Sequence, residues 1–352
     1  MSEGSYDVAI VGAGINGCVA AKYLAADHDV IVLEKDQVAA ATTSRASGLI
    51  STAHDYIDHL EAGRYATDFF DEYDGTGDFE YTKRNNVRLV PSESEDRARA
   101  EAERMAEHFD VTYLETTAEI EERYPGVFEL DPFVGAVEIE QGGWVDPYTL
   151  AMTYKEDAED SGADFETGVE VRGVTAADGA VTGVGTDAGT YAADTVVVAT
   201  AWHTKEFVSE YVDLPLRPFR YQWVNLNVER EFPDHFPVAW DSRSELYWRP
   251  EHNGDLHVGG TYYVDEPGSI RTTMTESFKR HVAVTIPEQV SDVGDARISS
   301  EDTCHIGDTA TPDERPIHDA PDAYPDGLVV SRVCTGSASW GRPSPGRPSA
   351  RS

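Results

Sequence analysis

Lysine is scarce in this chain: six of 352 residues, within 28 basic side chains that face 65 acidic ones. The formal charge of −37 excludes functions that need a cationic surface, because nucleic acid and anionic membranes are repelled. The acid is dispersed in short runs such as Glu93–Asp96 and Glu156–Asp160. Such a surface suits a salt-rich interior, where charges are screened within a few ångströms. A halophilic source is therefore expected, with an acidic mesophilic enzyme as the alternative. Three cysteines (Cys18, Cys304, Cys334) make no disulfide framework. No apolar run reaches membrane-spanning length. No CxxC or HxxxH pairing offers a metal site, so no metal is expected. A first strand starting by Asp7 leaves no room for a secretory leader, and a soluble, cytoplasmic protein is expected. The length suits two domains, each of which could be assembled from separated segments.

What is present is concentrated at the N-terminus. Residues 7–35 read DVAIVGAGINGCVAAKYLAADHDVIVLEK. Val8–Val11 is a short apolar run of the kind that forms a buried parallel strand. Gly12, Gly14 and Gly17 follow in GxGxxG spacing. An alanine-rich helix over Cys18–Ala25 comes next, then a second strand, Val30–Leu33, ending on Glu34. Gly12 permits the tight turn, Gly14 lets backbone approach a pyrophosphate, and Gly17 lets the helix lie close on the sheet. The helix N-terminus faces the phosphate charge. Glu34 can accept both hydroxyls of an adenosine ribose, and its charge disfavours a 2′-phosphate. A lone GxGxxG is weak, but the whole strand–glycines–helix–strand–acid unit points to a dinucleotide.

Residues 39–54 (AAATTSRASGLISTAH) form a small, hydroxyl-rich loop that either hydrogen-bonds phosphates or is simply solvated. GAGINGC, then EK, then TTSRASGLIS resembles the D-amino-acid oxidase/glycine oxidase/sarcosine oxidase superfamily of flavoenzymes. Glycerol-3-phosphate dehydrogenases share the same start. The resemblance implies FAD as cofactor, with Gly12, Gly14, Ile15, Asn16, Gly17, Glu34 and Lys35 in the first unit. It implies FAD-contacting roles for Thr43, Ser44, Arg45, Ser47 and Gly48 in the second loop.

The resemblance continues along the chain. Tyr81–Pro91 reads as one strand, and Glu93–Phe109 and Ala118–Pro125 as helices. QGGWVDPYTL (Gln141–Leu150) is similar to the family's return into the flavin domain. Asp146 is read there as the N-cap of a helix Pro147–Asp160, with Pro147 at its first position. Phe165–Val174 matches a strand in which the Val171 backbone meets adenine. DTVVVATAW (Asp194–Trp202) is similar to the strand beneath the flavin, which implies Ala199 there. It departs from the family pattern by lacking the glycine before Ala-Trp.

Leu214–Asn227 and Tyr247–Thr261 read as antiparallel strands, the second a hairpin turning at Asn253-Gly254. Alternation puts Leu256 and Val258 on the core face and His257 on the other. His257 is the catalytic candidate, aligned where monomeric sarcosine oxidases carry an oxygen-activating lysine; the alternative is a solvated strand histidine. Arg249 is either a clamp for a substrate carboxylate or a surface arginine. His54, just past the second loop, is a weaker substrate-site candidate. Cys304 is read as a buried thiol before the family-like Thr311-Pro312-Asp313.

The expected fold is α/β: an FAD-binding Rossmann-like domain with a parallel sheet over 1–55, 142–215 and 295–352, and a mixed or antiparallel-sheet substrate domain over 56–141 and 216–294. The implied reaction is oxidation of a C–N bond in an amino acid or N-methyl amino acid, by hydride transfer to flavin N5. Dioxygen or an electron-transfer protein would be the acceptor. The alternatives are a hydroxy acid or glycerol phosphate substrate, and a flavin-binding protein with impaired catalysis.

That last alternative comes from the C-terminus. Residues 327–352 contain no acid but four arginines, with Pro343, Pro345 and Pro348 where the family has a helix. Reverse-translated with GC-rich codons and read from the third base, the text from Ser331 becomes AGLHGFGVMGSPVA. This is similar to the family's closing glycine-rich turn, so a change of reading frame near residue 330 is expected; a genuine disordered tail is the alternative.

The charge generates the first prediction. Unscreened repulsion in the compact state should lower the thermal midpoint as potassium chloride is reduced from molar concentration to dilute buffer. A flat or rising midpoint would remove the halophilic reading.

Overall fold

The computed structural model describes residues 2–241, 243–264, 274–311 and 317–332. Its architecture is α/β, with two large sheets packed with helices. In the first sheet five strands run parallel, in the order Asp164–Thr167, Val30–Glu34, Ser2–Val11, Thr190–Val198 and Leu328–Arg332. Ile10, Ile31, Val32, Val196 and Val198 are fully buried, as strands covered on both faces require. An antiparallel meander, Val171–Ala177 and Ala180–Thr186, extends from the Thr190 strand. Helices Ile15–Leu24 and Pro147–Asp160 and the end of Leu60–Tyr73 cover one face through Cys18, Ala21, Leu150, Tyr154 and Tyr73. Asp146 caps the second of these helices, its Oδ1 accepting the Thr149 N–H at 2.7 Å, with Pro147 opening the helix.

The second sheet is eight-stranded and mixed. Its order is Arg297–Ala310, Arg217–Asn227, Leu256–Val264, Leu246–Pro250, Val238–Asp241, Asn86–Val90, Gly135–Ile139 and Val111–Leu114. Only the Val238/Asn86 pair is parallel. Its back face carries Val87, Leu89, Val224, Trp248, Leu256 and Val258 against Phe278 and Val282 of helix Glu276–Thr285. Each fully buried side chain of this kind is worth about 1.5–3 kcal/mol. A small sheet of Leu49–Ile50, Gly143–Val145 and Tyr81–Lys83 lies apart from the two large ones.

Several expected boundaries move. Arg297–Ala310 pairs along its length with Arg217–Asn227, so it belongs to the second sheet and not to a flavin segment beginning at 295. Helix Leu60–Tyr73 bridges the two bodies: Leu60 packs on the front of the second sheet and Tyr73 under the first. Tyr81–Pro91 is not one strand. It breaks at Arg84-Asn85, where the chain leaves the small sheet for the large one. Phe165–Val174 likewise breaks at Gly168, which has φ +76. The Cys304 side chain and the expected Pro312-Asp313 element lie outside the described residues, as do residues 333–352, which hold most of the segment expected to follow a change of reading frame.

The glycine missing from DTVVVATAW before Ala201-Trp202 falls at Thr200, whose φ of −91 needs no glycine; the unusual backbone is at the next residue. After Val198 the backbone turns into a short 3-10 segment, and Ala201 takes φ +51. An L-residue in that region costs about 1–2 kcal/mol, while glycine there loses roughly 0.5–1 kcal/mol of that advantage to chain entropy. Ala201→Gly should therefore stabilise the fold by roughly 0.5–1 kcal/mol, seen as a higher urea midpoint at unchanged slope. A lower midpoint would show that the turn is not strained.

A candidate cofactor and substrate site between the sheets

The first parallel strand ends at Val11, and the chain turns through Gly12 at φ +99. A Cβ there would lie 2.7 Å from the Ala199 carbonyl oxygen, so Ala199 and the glycine turn are brought together. The Ala199 N–H is in turn held by the Val11 carbonyl. Gly17 sits deeper, where a Cβ would be 1.9 Å from the Gly12 oxygen. Gly14 differs from both: its Cβ would meet only Thr43 Oγ1, at 3.4 Å. Gly12 and Gly17 are thus required by the protein, whereas Gly14 leaves space that the protein does not fill.

That space has the polarity of an anion site. Helix Ile15–Leu24 has no side-chain cap, and its first N–H groups lack partners within the helix. Thr43 Oγ1 accepts the Ile15 N–H at 3.1 Å, which seats the second loop against the helix start. Asn16 is half-buried in the first turn. Glu34 turns its carboxylate toward the glycine turn, accepting the Ala13 and Asp36 N–H groups, each at 2.9 Å. Lys35 lies exposed beside it. The Glu34 carbonyl holds the Val169 N–H, two residues before Val171 opens the antiparallel meander.

The second loop bridges to the front face of the large mixed sheet. There register places Asp302, Trp223, Gly259, Tyr247, Trp240 and Arg88 in one cross-strand row. Ser300, Asn225, His257 and Arg249 form the next. Cross-strand partners share a face, so these side chains meet. Trp223 donates its indole N–H to the Arg45 carbonyl at 3.2 Å, and Arg249 donates to the Ser47 carbonyl at 3.2 Å. Arg45 reaches Asp302 at 2.9 Å. Ser44 is exposed and bonds back to the Ala40 and Ala41 carbonyls. Gly48, at φ +66, packs so closely on the Val145 carbonyl that a Cβ would be 2.0 Å from it.

His257 is not a solvated strand histidine: it is 3% exposed. Its ring lies between Trp223 and Tyr247, with centroids at 5.2 and 5.8 Å. Nδ1 is 2.8 Å from Asn225 Oδ1, and Nε2 is 3.4 Å from the Tyr247 hydroxyl. Burial first, and then the Arg249 charge, hold its pKa well below the ordinary value, so the ring is neutral. Asn225 accepts from Nδ1, which leaves Nε2 as the acceptor. Nor is Arg249 a surface arginine. It is buried, stacked 4.8 Å from Trp144 and 3.1 Å from Glu251.

His54 lies farther along the same face, edge-on to Trp240 at 5.3 Å and with Nε2 3.3 Å from Arg88. Burial and the Arg88 charge bring its pKa down to about 3. Among the described residues no group of three or more His, Cys, Asp or Glu side chains is placed to hold a metal, and no helix is long and apolar enough to cross a membrane. Tyr247, Trp223, Asn225 and Asp302 were not singled out from the sequence. The available signal was alternation along Arg217–Asn227, which puts Trp223 and Asn225 on the side opposite Val224 and Leu226.

Comparison with known proteins bears on this arrangement. A family model described as FAD dependent oxidoreductase matches residues 7–341. The chain is 29% identical over 272 residues to sarcosine oxidase subunit beta of Arthrobacter sp, covering 72% of this chain and 65% of that protein. It is 25% identical over 260 residues to mitochondrial dimethylglycine dehydrogenase of Homo sapiens, covering 71% and 30%. The chain thus spans under two-thirds of the first relative's length and under a third of the second's. Glycine oxidase from Geobacillus kaustophilus shares the fold at TM-score 0.81 and 20% identity, with 96% of this chain and 91% of that one covered. L-proline dehydrogenase from P.horikoshii does so at 0.82 and 19%, covering 97% and 90%.

The contrast between the glycines is testable. Gly14→Val should fold with a near-native melting midpoint but purify without bound flavin absorbance, because its side chain occupies only the cofactor's space. Gly17→Ala should destabilise the protein itself by roughly 3 kcal/mol or more, through overpacking against backbone. Full flavin occupancy in Gly14→Val would refute the placement of the pyrophosphate.

Proposed function

Because the chain belongs to the FAD dependent oxidoreductase family, we propose that it oxidises the C–N bond of a small amino acid or N-methyl amino acid at the face lined by His257, Tyr247 and Arg249. FAD held by the glycine turn and the second loop would supply the electron sink for the hydride leaving the carbon beside the nitrogen, and water would then hydrolyse the resulting imine. The residues of the glycine turn and second loop fit that cofactor: an open position at Gly14, an uncapped helix start, and the Glu34 carboxylate beside the turn.

The observation that carries the reading is a neutral, buried imidazole tied through Trp223 to the cofactor loop. Oxidation of an amine requires the nitrogen lone pair, and an amino acid arrives as an ammonium. His257 Nε2, the free-base position, can take that proton directly or through the Tyr247 hydroxyl. Asn225 holds the tautomer that keeps this nitrogen available. Trp223 and Tyr247 flank the ring at 5.2 and 5.8 Å and shield it from water. The likeness to sarcosine oxidase subunit beta and dimethylglycine dehydrogenase supports an N-methyl amino acid.

Anaerobic mixing with a panel of amino acids, N-methyl amino acids, hydroxy acids and glycerol phosphate tests the substrate class. Bleaching of the flavin by the nitrogen compounds alone is the expected result; bleaching only by the alcohols would overturn it. His257→Leu should slow that reduction on the order of 100-fold at constant FAD content. The pH dependence has a definite sign. A depressed histidine pKa keeps the base form as pH falls below 6.5, so Arg249→Met should raise that pKa and move the acid limb of the profile to higher pH. An acid limb that moves down or stays put would show that His257 is not the base.

A further inference from the structure

We propose that Trp223, Arg249 and Asp302, side chains of the substrate-facing sheet, set the affinity for the cofactor by clamping the loop Thr43–Gly48 in its anion-receiving shape. The proposal rests on the reading that this loop and the glycine turn hold FAD. Its basis is the direction in which the loop's carbonyls point. The Arg45 carbonyl accepts from Trp223 Nε1, the Ser47 carbonyl from Arg249 Nη2, and the Gly48 carbonyl from the Val145 N–H. Three acceptors that would repel a phosphate are thereby turned toward protein donors. Among the described residues the N–H groups of Ser47 and Gly48 meet no protein acceptor. Donors without acceptors, on a loop whose carbonyls are tied back, are what an anion requires.

The Arg45 side chain is part of the clamp. The resemblance implies that Arg45 contacts FAD; its guanidinium lies 2.9 Å from Asp302 Oδ1, and the residue is held at both ends by one cross-strand pair, Trp223 and Asp302. Asp302 is oriented by the Thr303 N–H at 2.7 Å. Arg249 is oriented by Trp144 and Glu251. The clamping groups are therefore rigid. A loop held in one shape before binding avoids the ordering cost that lowers apparent affinity when the competent form is only fractionally populated.

The test measures FAD affinity rather than turnover. Holoprotein is diluted in high salt, and the recovery of free-flavin fluorescence gives the dissociation constant. Trp223→Phe removes one N–H and keeps the ring; Asp302→Asn keeps shape and removes charge. Each should raise the FAD dissociation constant about three- to tenfold, the effect of one hydrogen bond. Asp187→Asn, which breaks an exposed Arg172 pair on the meander, should leave it unchanged. In an Arg45→Met background Asp302→Asn should add nothing further, and this non-additivity distinguishes a clamp from general loosening. Wild type that binds FAD as tightly as Trp223→Phe and Asp302→Asn overturns the clamp alone. Wild type that binds no FAD at all overturns the FAD reading and the clamp with it.

Discussion

The approach of Gly17 to the Gly12 carbonyl is the contact on which the rest of the site is built. With no side chain between them, helix Ile15–Leu24 lies directly on the end of the first strand. Its N-terminus then opens at the sheet's carboxyl edge, beside Glu34 on one side and Ala199 on the other. A single methyl group at residue 17 would lift the helix, and the positive end of its dipole would no longer face a shared point. The same device recurs where Gly48 meets the Val145 carbonyl. The cofactor region is thus defined by backbone meeting backbone at three places, and side chains are added around that frame.

What could be read from the sequence is what depends on neighbours in the chain. The strand–turn–helix–strand unit, the Asp146 cap and the Asn253-Gly254 hairpin each rest on rules spanning a few residues, and each is present. Alternation along Leu256–Val258 correctly separated core from front face. The front face itself was harder. Asp302 meets Arg45 across 257 residues of chain, and Trp223 meets the same loop across 178. Alternation puts Trp223 on the front face, but nothing local to Trp223 or Asp302 shows what they meet there. They are defined by strand register, which a single sequence does not display. Sequence left His257 and Arg249 open between a buried role and a surface one, and register decides it: His257 is flanked by Trp223 and Tyr247 of neighbouring strands, and Arg249 is covered by Ser47 and Trp144.

The breaks at Arg84-Asn85 and Gly168 show a related limit. Apolar residues recur on both sides of each break, yet each segment changes sheet or direction partway. A glycine at φ +76 makes the second break intelligible afterwards. At Arg84 the chain leaves the small sheet for the large one, and the polar run Thr82–Asn86 with its two asparagines is the local signal of that break. Ala201 is the reverse case, an alanine held at φ +51 in a backbone region that glycine fills without steric cost.

The distribution of charge ties the surface to the chemistry. In a protein with more than twice as many acids as bases, two arginines among the described residues lie in the interior, Arg88 and Arg249. Each stands beside a buried histidine, His54 and His257 respectively. Solvent-exposed imidazoles in so negative a field would be drawn toward protonation. Burial opposes that, and the neighbouring guanidinium opposes it further, in the same direction at both sites. Because the folded pKa values lie below the unfolded ones, neutrality of these rings costs stability only when pH falls below about 6.5, where the unfolded chain takes up protons first. Above that pH the two rings stay neutral without penalty, which is the range in which an amine must surrender its proton before it can be oxidised. The scarce positive charge is placed where it keeps a base in its basic form.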